Sequence, residues 1–98
     1  MAQVPATEFQ IRNSEEYRED YANSVQIRMS VWDFFLAFGR MQPGSGNSVE
    51  VRNFEGIFLS PQQAKALSLM LRENVANYEQ AFGEIKLDAQ QFAPELAN

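Results

Sequence analysis

The chain contains no cysteine and no histidine. Without cysteine there are no disulfides to staple a small fold, and without either residue the usual ligands for zinc, haem and iron–sulfur clusters are missing. A serine nucleophile would have no imidazole to take its proton, and a thiolate nucleophile has no candidate at all. Basic residues are also few, with 8 Lys and Arg against 13 Asp and Glu and a net charge of −5. That balance argues against a general phosphate-backbone binder, which needs a surplus of cations to displace counterions. The start of the chain lacks a basic segment followed by an apolar run, so neither export nor membrane insertion is indicated and a soluble protein is expected. Missing cysteines leave the redox compartment open, with the cytoplasm as the default.

What is present fits one domain. At 98 residues, a chain buries only about 60 to 65 % of its unfolded surface, so its own core is thin and self-association is the common remedy. Residues 1–23 read as an N-terminal arm and acidic connector. In the arm, Phe9 and Ile11 alternate with polar neighbours, and both a short edge strand and a frayed terminus fit. Tyr17 and Tyr21, four apart among acids, allow one helical turn or a solvated connector.

From Ser24 the period switches to two, with Val25, Ile27, Met29 and Val31 on one side. A second strand, Phe34 to Phe38, is apolar on both sides: Phe34, Leu36 and Phe38 share one face and Phe35 and Ala37 the other. Either something covers the second face or this strand lies at a subunit contact. Gln42 to Ser48 has the composition of a loop. A third strand is expected over Val49 to Phe54, with Val49 and Val51 inward. A tight reversal at Glu55 and Gly56 then leads into a fourth at Ile57 to Leu59.

Ser60, Pro61 and Gln63 specify a helix start by side-chain cap, first-turn proline and capping box. Ala64, Leu67, Leu71, Val75, Tyr78 and Phe82 then mark one stripe on a helix of about 22 residues, roughly 33 Å long, which Gly83 stops in a left-handed conformation. The stripe predicts packing on the sheet. Ile85, Leu87, Phe92 and Leu96, interrupted by Pro94, leave docking and disorder open for the tail.

Residues able to carry chemistry are few. Lys65 and Lys86 are candidate partners for a serine, but exposed helix and tail positions explain them. Asp33, Glu50 and Glu55 fall on different strands, so no carboxylate pair is specified. Asp33 beside Trp32 is explained by turn amides. The acids of residues 15–20 lack calcium-loop spacing, and Gly44 and Gly46 lack the lysine and helix start of a phosphate loop. Arg28, Arg40 and Arg52 read as solvent-facing strand residues. Strand-borne aromatics can stack on single-stranded bases, but core and subunit packing account for them without a ligand.

Tyr21-Ala22-Asn23, Trp32-Asp33-Phe34, Phe38-Gly39-Arg40 and a helix carrying Ser60-Pro61, Ala64-Lys65-Ala66-Leu67, Leu71, Asn74, Tyr78-Glu79, Phe82-Gly83 and Ile85 together resemble the short bacterial and archaeal proteins grouped as domain of unknown function 3467. The resemblance covers about residues 17 to 86. It implies a small cytoplasmic protein and supplies no activity, cofactor or catalytic residue. Family members often carry histidine in the helix's first turn, where this chain has Gln63, which further weakens any metal or acid–base role there. Asn74, on the inward side of the helix, is expected to hydrogen-bond a strand end.

These readings combine into an α+β domain over residues 24–86: a four-stranded antiparallel meander followed by one long C-terminal helix packed on one face, with residues 87–98 as a tail. The expected function is a noncatalytic protein–protein interaction module acting as a homodimer or higher even oligomer, without cofactor or metal. Trp32, Phe35, Ala37, Met70 and Asn74 are its candidate contact surface. A chaperone for unfolded chains similar to the SecB type is the first alternative, by analogy of strand-then-helix order. A single-strand nucleic-acid binder is the second.

Overall fold

The computed structural model describes residues 6–87, so the expectations for Phe92, Pro94 and Leu96 lie outside the described residues. Its elements are β1 (Ser24–Met29), β2 (Phe34–Pro43), β3 (Val49–Leu59) and α1 (Pro61–Phe82). The class is α+β, with an antiparallel sheet in the order β1-β2-β3 and one C-terminal helix.

Each strand is bounded by a local polar device. β1 ends where the Ser30 hydroxyl accepts from the amides of Trp32 and Asp33 at 3.1 and 3.2 Å. That side-chain turn places Val31 at the hairpin tip rather than on the strand face. Asp33 is therefore not the acceptor of the turn amides: its carboxylate accepts from the Ser30 hydroxyl instead. At the other end of β1, the Asn23 amide nitrogen donates to the Gly39 carbonyl, and its side-chain oxygen accepts from the Met41 amide at 2.7 Å. A side chain thus takes the place of the next strand residue beside β2. β2 runs on to Pro43, so the loop is shorter than the Gln42 to Ser48 expected, and it closes around Gly44–Ser48 with Gly46 at φ 62°.

The sheet has three strands, not four. Residues expected as a third strand, a reversal and a fourth form one continuous strand along β2. Phe38 pairs with Glu55 and Gly39 with Asn53, so Phe54 is an extra residue in β3. A bulge inverts the alternation. Before it, Val49 and Val51 face the Phe35 side; after it, Ile57 and Leu59 face the Leu36 side. The broken period mimicked a strand end. Gly56 is not a turn residue either: a Cβ there would lie 2.7 and 2.8 Å from two atoms of the Phe35 ring. Its lack of a side chain makes room for that ring.

α1 starts as expected, with the Gln63 amide donating to the Ser60 hydroxyl at 3.1 Å and Pro61 in the first turn. It stops at Gly83, whose φ of 103° with ψ of 171° is a glycine-only conformation but not the left-handed helical one. The expected packing of α1 across the sheet is not found. None of its residues is buried, and its contacts with the sheet are few and mainly with β3. Ser60 is the single connecting residue and is extended, with ψ of 154°. A residue before proline is biased towards such conformations, so the helix leaves the end of β3 instead of folding back. The long dimension of 67 Å agrees with β3 and α1 laid nearly end to end, about 36 Å and 33 Å.

Towards the N-terminus, Phe9 and Ile11 are exposed and in no strand. A single turn at Ser14–Tyr17 replaces the helical turn considered above. The acidic connector is tied to the sheet, where Arg18 meets Glu55 of β3 and Asp20 meets Arg40 of β2, each at 3.0 Å.

Candidate functional site

Strand register sorts the sheet's side chains onto two faces. The Leu36 face carries Val25, Ile27 and Met29 from β1, Phe34, Leu36 and Phe38 from β2, and Ile57 and Leu59 from β3. Its centre, Leu36, is 8 % exposed, yet Ile27 beside it is 43 % exposed and Val25, Met29 and Ile57 are open to a similar or greater degree. Cross-strand neighbours bury the middle residue, and the connector residues Arg18, Asp20 and Ala22 border the Phe38 and Ile57 end; among the described residues no further element lies over the rest. At the far end this face turns polar, with Arg40 stacked 4.3 Å above the Phe54 ring and Arg52 paired to Glu50 at 2.6 Å. The Arg52 guanidinium, first by its hydrogen bond and then by its charge, holds the Glu50 carboxyl below its ordinary pKa.

The opposite, Phe35 face is built on an aromatic pair. Phe35 and Phe58 lie cross-strand with ring centroids 4.7 Å apart, and the Arg28 guanidinium sits 4.9 Å from the Phe35 centroid. Phe58 is 62 % exposed. A shallow groove runs along Arg28, Met29, Ser30, Asp33, Phe35 and Phe58. Aromatic groups with an arginine over them combine apolar area, a quadrupole and donors in a pre-organised unit.

The five candidate contact residues do not form one surface. Trp32 is 80 % exposed at the β1–β2 turn. Phe35 is half-buried, and Ala37, only 4 % exposed, lies beneath the same face. Met70 and Asn74 are on α1, away from the sheet. Asn74 does not reach a strand end: its side-chain nitrogen donates to the Met70 carbonyl one turn back, at 2.8 Å. A helix that leaves the sheet brings no strand carbonyl within its reach.

Residues that the sequence reading passed over are Phe58 and the open row Val25, Ile27, Met29 and Ile57. Val25, Ile27 and Met29 were visible as one side of a period-two pattern, and the helix was expected to lie on the sheet without its face being specified. On α1 itself, Leu71, Val75, Tyr78 and Phe82 are exposed, with Tyr78 and Phe82 stacked at 5.0 Å. Beyond the helix, the Ile85 amide donates to the Glu79 carboxylate at 2.9 Å.

Polar chemistry is dispersed. Tyr17 donates to Glu19 at 2.6 Å, which raises the phenol pKa, and Glu55 beside Arg18 raises that guanidinium's. Among the described residues no three acidic groups gather as metal ligands, and no helix is long and apolar enough to cross a membrane.

A family model described as a protein of unknown function (DUF3467) matches residues 1–87. No curated protein and no solved structure matches the chain.

Proposed function

The chain belongs to the family of proteins of unknown function DUF3467, and from its geometry we propose that it is a noncatalytic protein–protein interaction module that acts as a homo-oligomer. One observation carries this reading: a single copy leaves large apolar groups open on both faces of its sheet and along its helix. Scattered exposed apolar residues are ordinary, but contiguous rows of them mark contact surfaces. The Phe35 face supports a partner of different sequence. Phe58, Phe35 and Arg28, with Trp32 at the adjoining turn, are the residue types that dominate interface energetics when desolvated together. The setting proposed is the cytoplasm, in keeping with a cysteine-free chain of this size.

The test is capture of the tagged full chain from its native lysate, with intact complexes weighed by native mass spectrometry. The reading expects a homo-oligomer holding one stoichiometric protein, which Phe58→Asp releases without changing the homo-oligomeric mass. A bare chain, or capture that Phe58→Asp leaves intact, would count against it.

A chaperone-like binder of unfolded polypeptides is the second reading, favoured by apolar groups lying open on more than one side of the molecule. It expects many heterogeneous chains in the same capture and suppression of aggregation of unrelated substrates. Nucleic-acid binding is less well supported, since Arg18, Arg40 and Arg52 each face a carboxylate, which offsets the charge a phosphate would need.

A further inference from the structure

The exposed helix stripe and the part of the Leu36 face that the connector leaves open match each other in size. The helix from Leu71 to Phe82 is roughly 17 Å long at 1.5 Å per residue. On the sheet, Val25 to Met29 runs opposite Phe38 to Phe34, roughly 13 Å at 3.3 Å per residue. Three strands at about 4.8 Å spacing give a strip about 10 Å wide, the diameter of one helix with its side chains. Neither surface can satisfy the other within one chain. Ser60 alone joins β3 to α1, its conformation is extended, and Pro61 and the serine cap hold the helix on its outward course.

The exposed area has the same implication. The surface is 9212 Å² for 11.2 kDa, where a compact monomer of that mass exposes about 5,700 Å². The exposed residues 6–20, the helix and the open sheet face all contribute to the surplus of roughly 3,500 Å². A stable dimer needs only about 800 Å² from each partner, and obligate dimers bury more.

We infer that two copies of this chain exchange helices, the Leu71–Phe82 stripe of each lying on the Leu36 face of the other. The inference rests on the homo-oligomeric reading above and identifies the occupant of the open face as a second copy. The contact is isologous, because each chain offers one helix and one face, so two copies close the assembly. Exchange leaves the Phe35 face with its exposed Phe58 available to a different partner.

The absence of cysteine permits a direct test on the full chain. Val75→Cys sits mid-stripe and Ile27→Cys mid-face, so the pair should meet whichever way the helix lies along the strands. The two single variants are mixed, unfolded and refolded together, and treated with a short bismaleimide. Sedimentation gives the mass before linking. The result expected is twice the chain mass, a covalent dimer joined from position 75 to position 27, and far less product from either variant alone. A double variant linked within one chain, or a dimer linked only from 75 to 75, would overturn the exchange while leaving a homo-oligomeric module standing. A monomer by sedimentation at micromolar concentration would overturn both. Leu71→Lys provides the second readout: the exchange expects loss of the dimer mass, and retention of the full dimer population would refute it.

Discussion

Replacing Gly56 by alanine tests whether the close approach of the Phe35 ring, rather than a turn, explains the glycine. Its backbone is not in the left-handed region, since Gly46 and Gly83 are the positive-φ glycines among the described residues, so alanine meets no conformational barrier there. The obstacle is the ring, 2.7 and 2.8 Å from the added Cβ. Ordinary carbon contacts lie at about 3.5–4.0 Å, so the ring has to move by roughly 1 Å. It is held by Phe58 on one side and Arg28 on another. Disturbing the aromatic pair costs about 0.5–1.5 kcal/mol and disturbing the cation over the ring about 0.5–1 kcal/mol. Against this, alanine restricts the unfolded chain and stabilises by about 0.4–1 kcal/mol. The expected net effect is a loss of about 0.5–1.5 kcal/mol.

In a Phe35→Ala background the obstacle is gone, and Gly56→Ala should instead stabilise by about 0.4–1 kcal/mol. Urea unfolding of the four chains at one fixed concentration measures the cycle; the fixed concentration matters because association contributes to apparent stability. A coupling of about 1–2.5 kcal/mol is expected from the two lost contacts. If the two substitutions add within about 0.5 kcal/mol, as independent sites do, the ring is not what excludes a side chain at position 56.

Two further outcomes follow from the polar groups. The Ser24 hydroxyl is buried with no hydrogen-bond partner among the described residues, so Ser24→Ala should leave stability unchanged or raise it by about 1 kcal/mol in the same urea assay; a loss above that size would mean the hydroxyl is satisfied in solution. Glu50 has its folded pKa lowered by Arg52, so the pair's favourable effect is present above the unfolded glutamate pKa and fades as pH falls through the folded one. A carboxyl titration followed by NMR should give Glu50 a midpoint below the usual glutamate value of about 4.3, and Arg52→Gln should raise it; an unchanged midpoint in that variant would remove the arginine as the cause.

Local signals predicted local structure well. Ser60 and Pro61 place the helix start, Gly83 its end, and the two-sided apolar pattern of Phe34 to Phe38 assigns each side chain to its observed face. Two things were not legible. The extra residue at Phe54 reverses parity, and a reversal of parity next to a glycine looks the same in one dimension as a turn between two strands. The direction in which α1 leaves the sheet is set by the dihedral angles of the one residue that joins them, while an apolar stripe records only that a cover exists. Consequently Met70 and Asn74 were grouped with Phe35 and Ala37 although the helix carries them away. Phe58 was missed because its significance depends on the pairing with Phe35, and that pairing depends on the bulge.

The bulge also affects the free edge of β3. A straight outer strand presents a regular row of amides and carbonyls on which another sheet can grow, and chains with open apolar faces are especially exposed to that route into fibres. Here the extra residue at Phe54 interrupts the row in mid-strand, with the charged pair Glu50 and Arg52 on one side of it and Glu55 on the other. A foreign strand can match the ladder before the interruption or after it, but not through it. Side-by-side growth along β3 is thereby discouraged, whereas stacking on the faces of the sheet ends when those faces are filled.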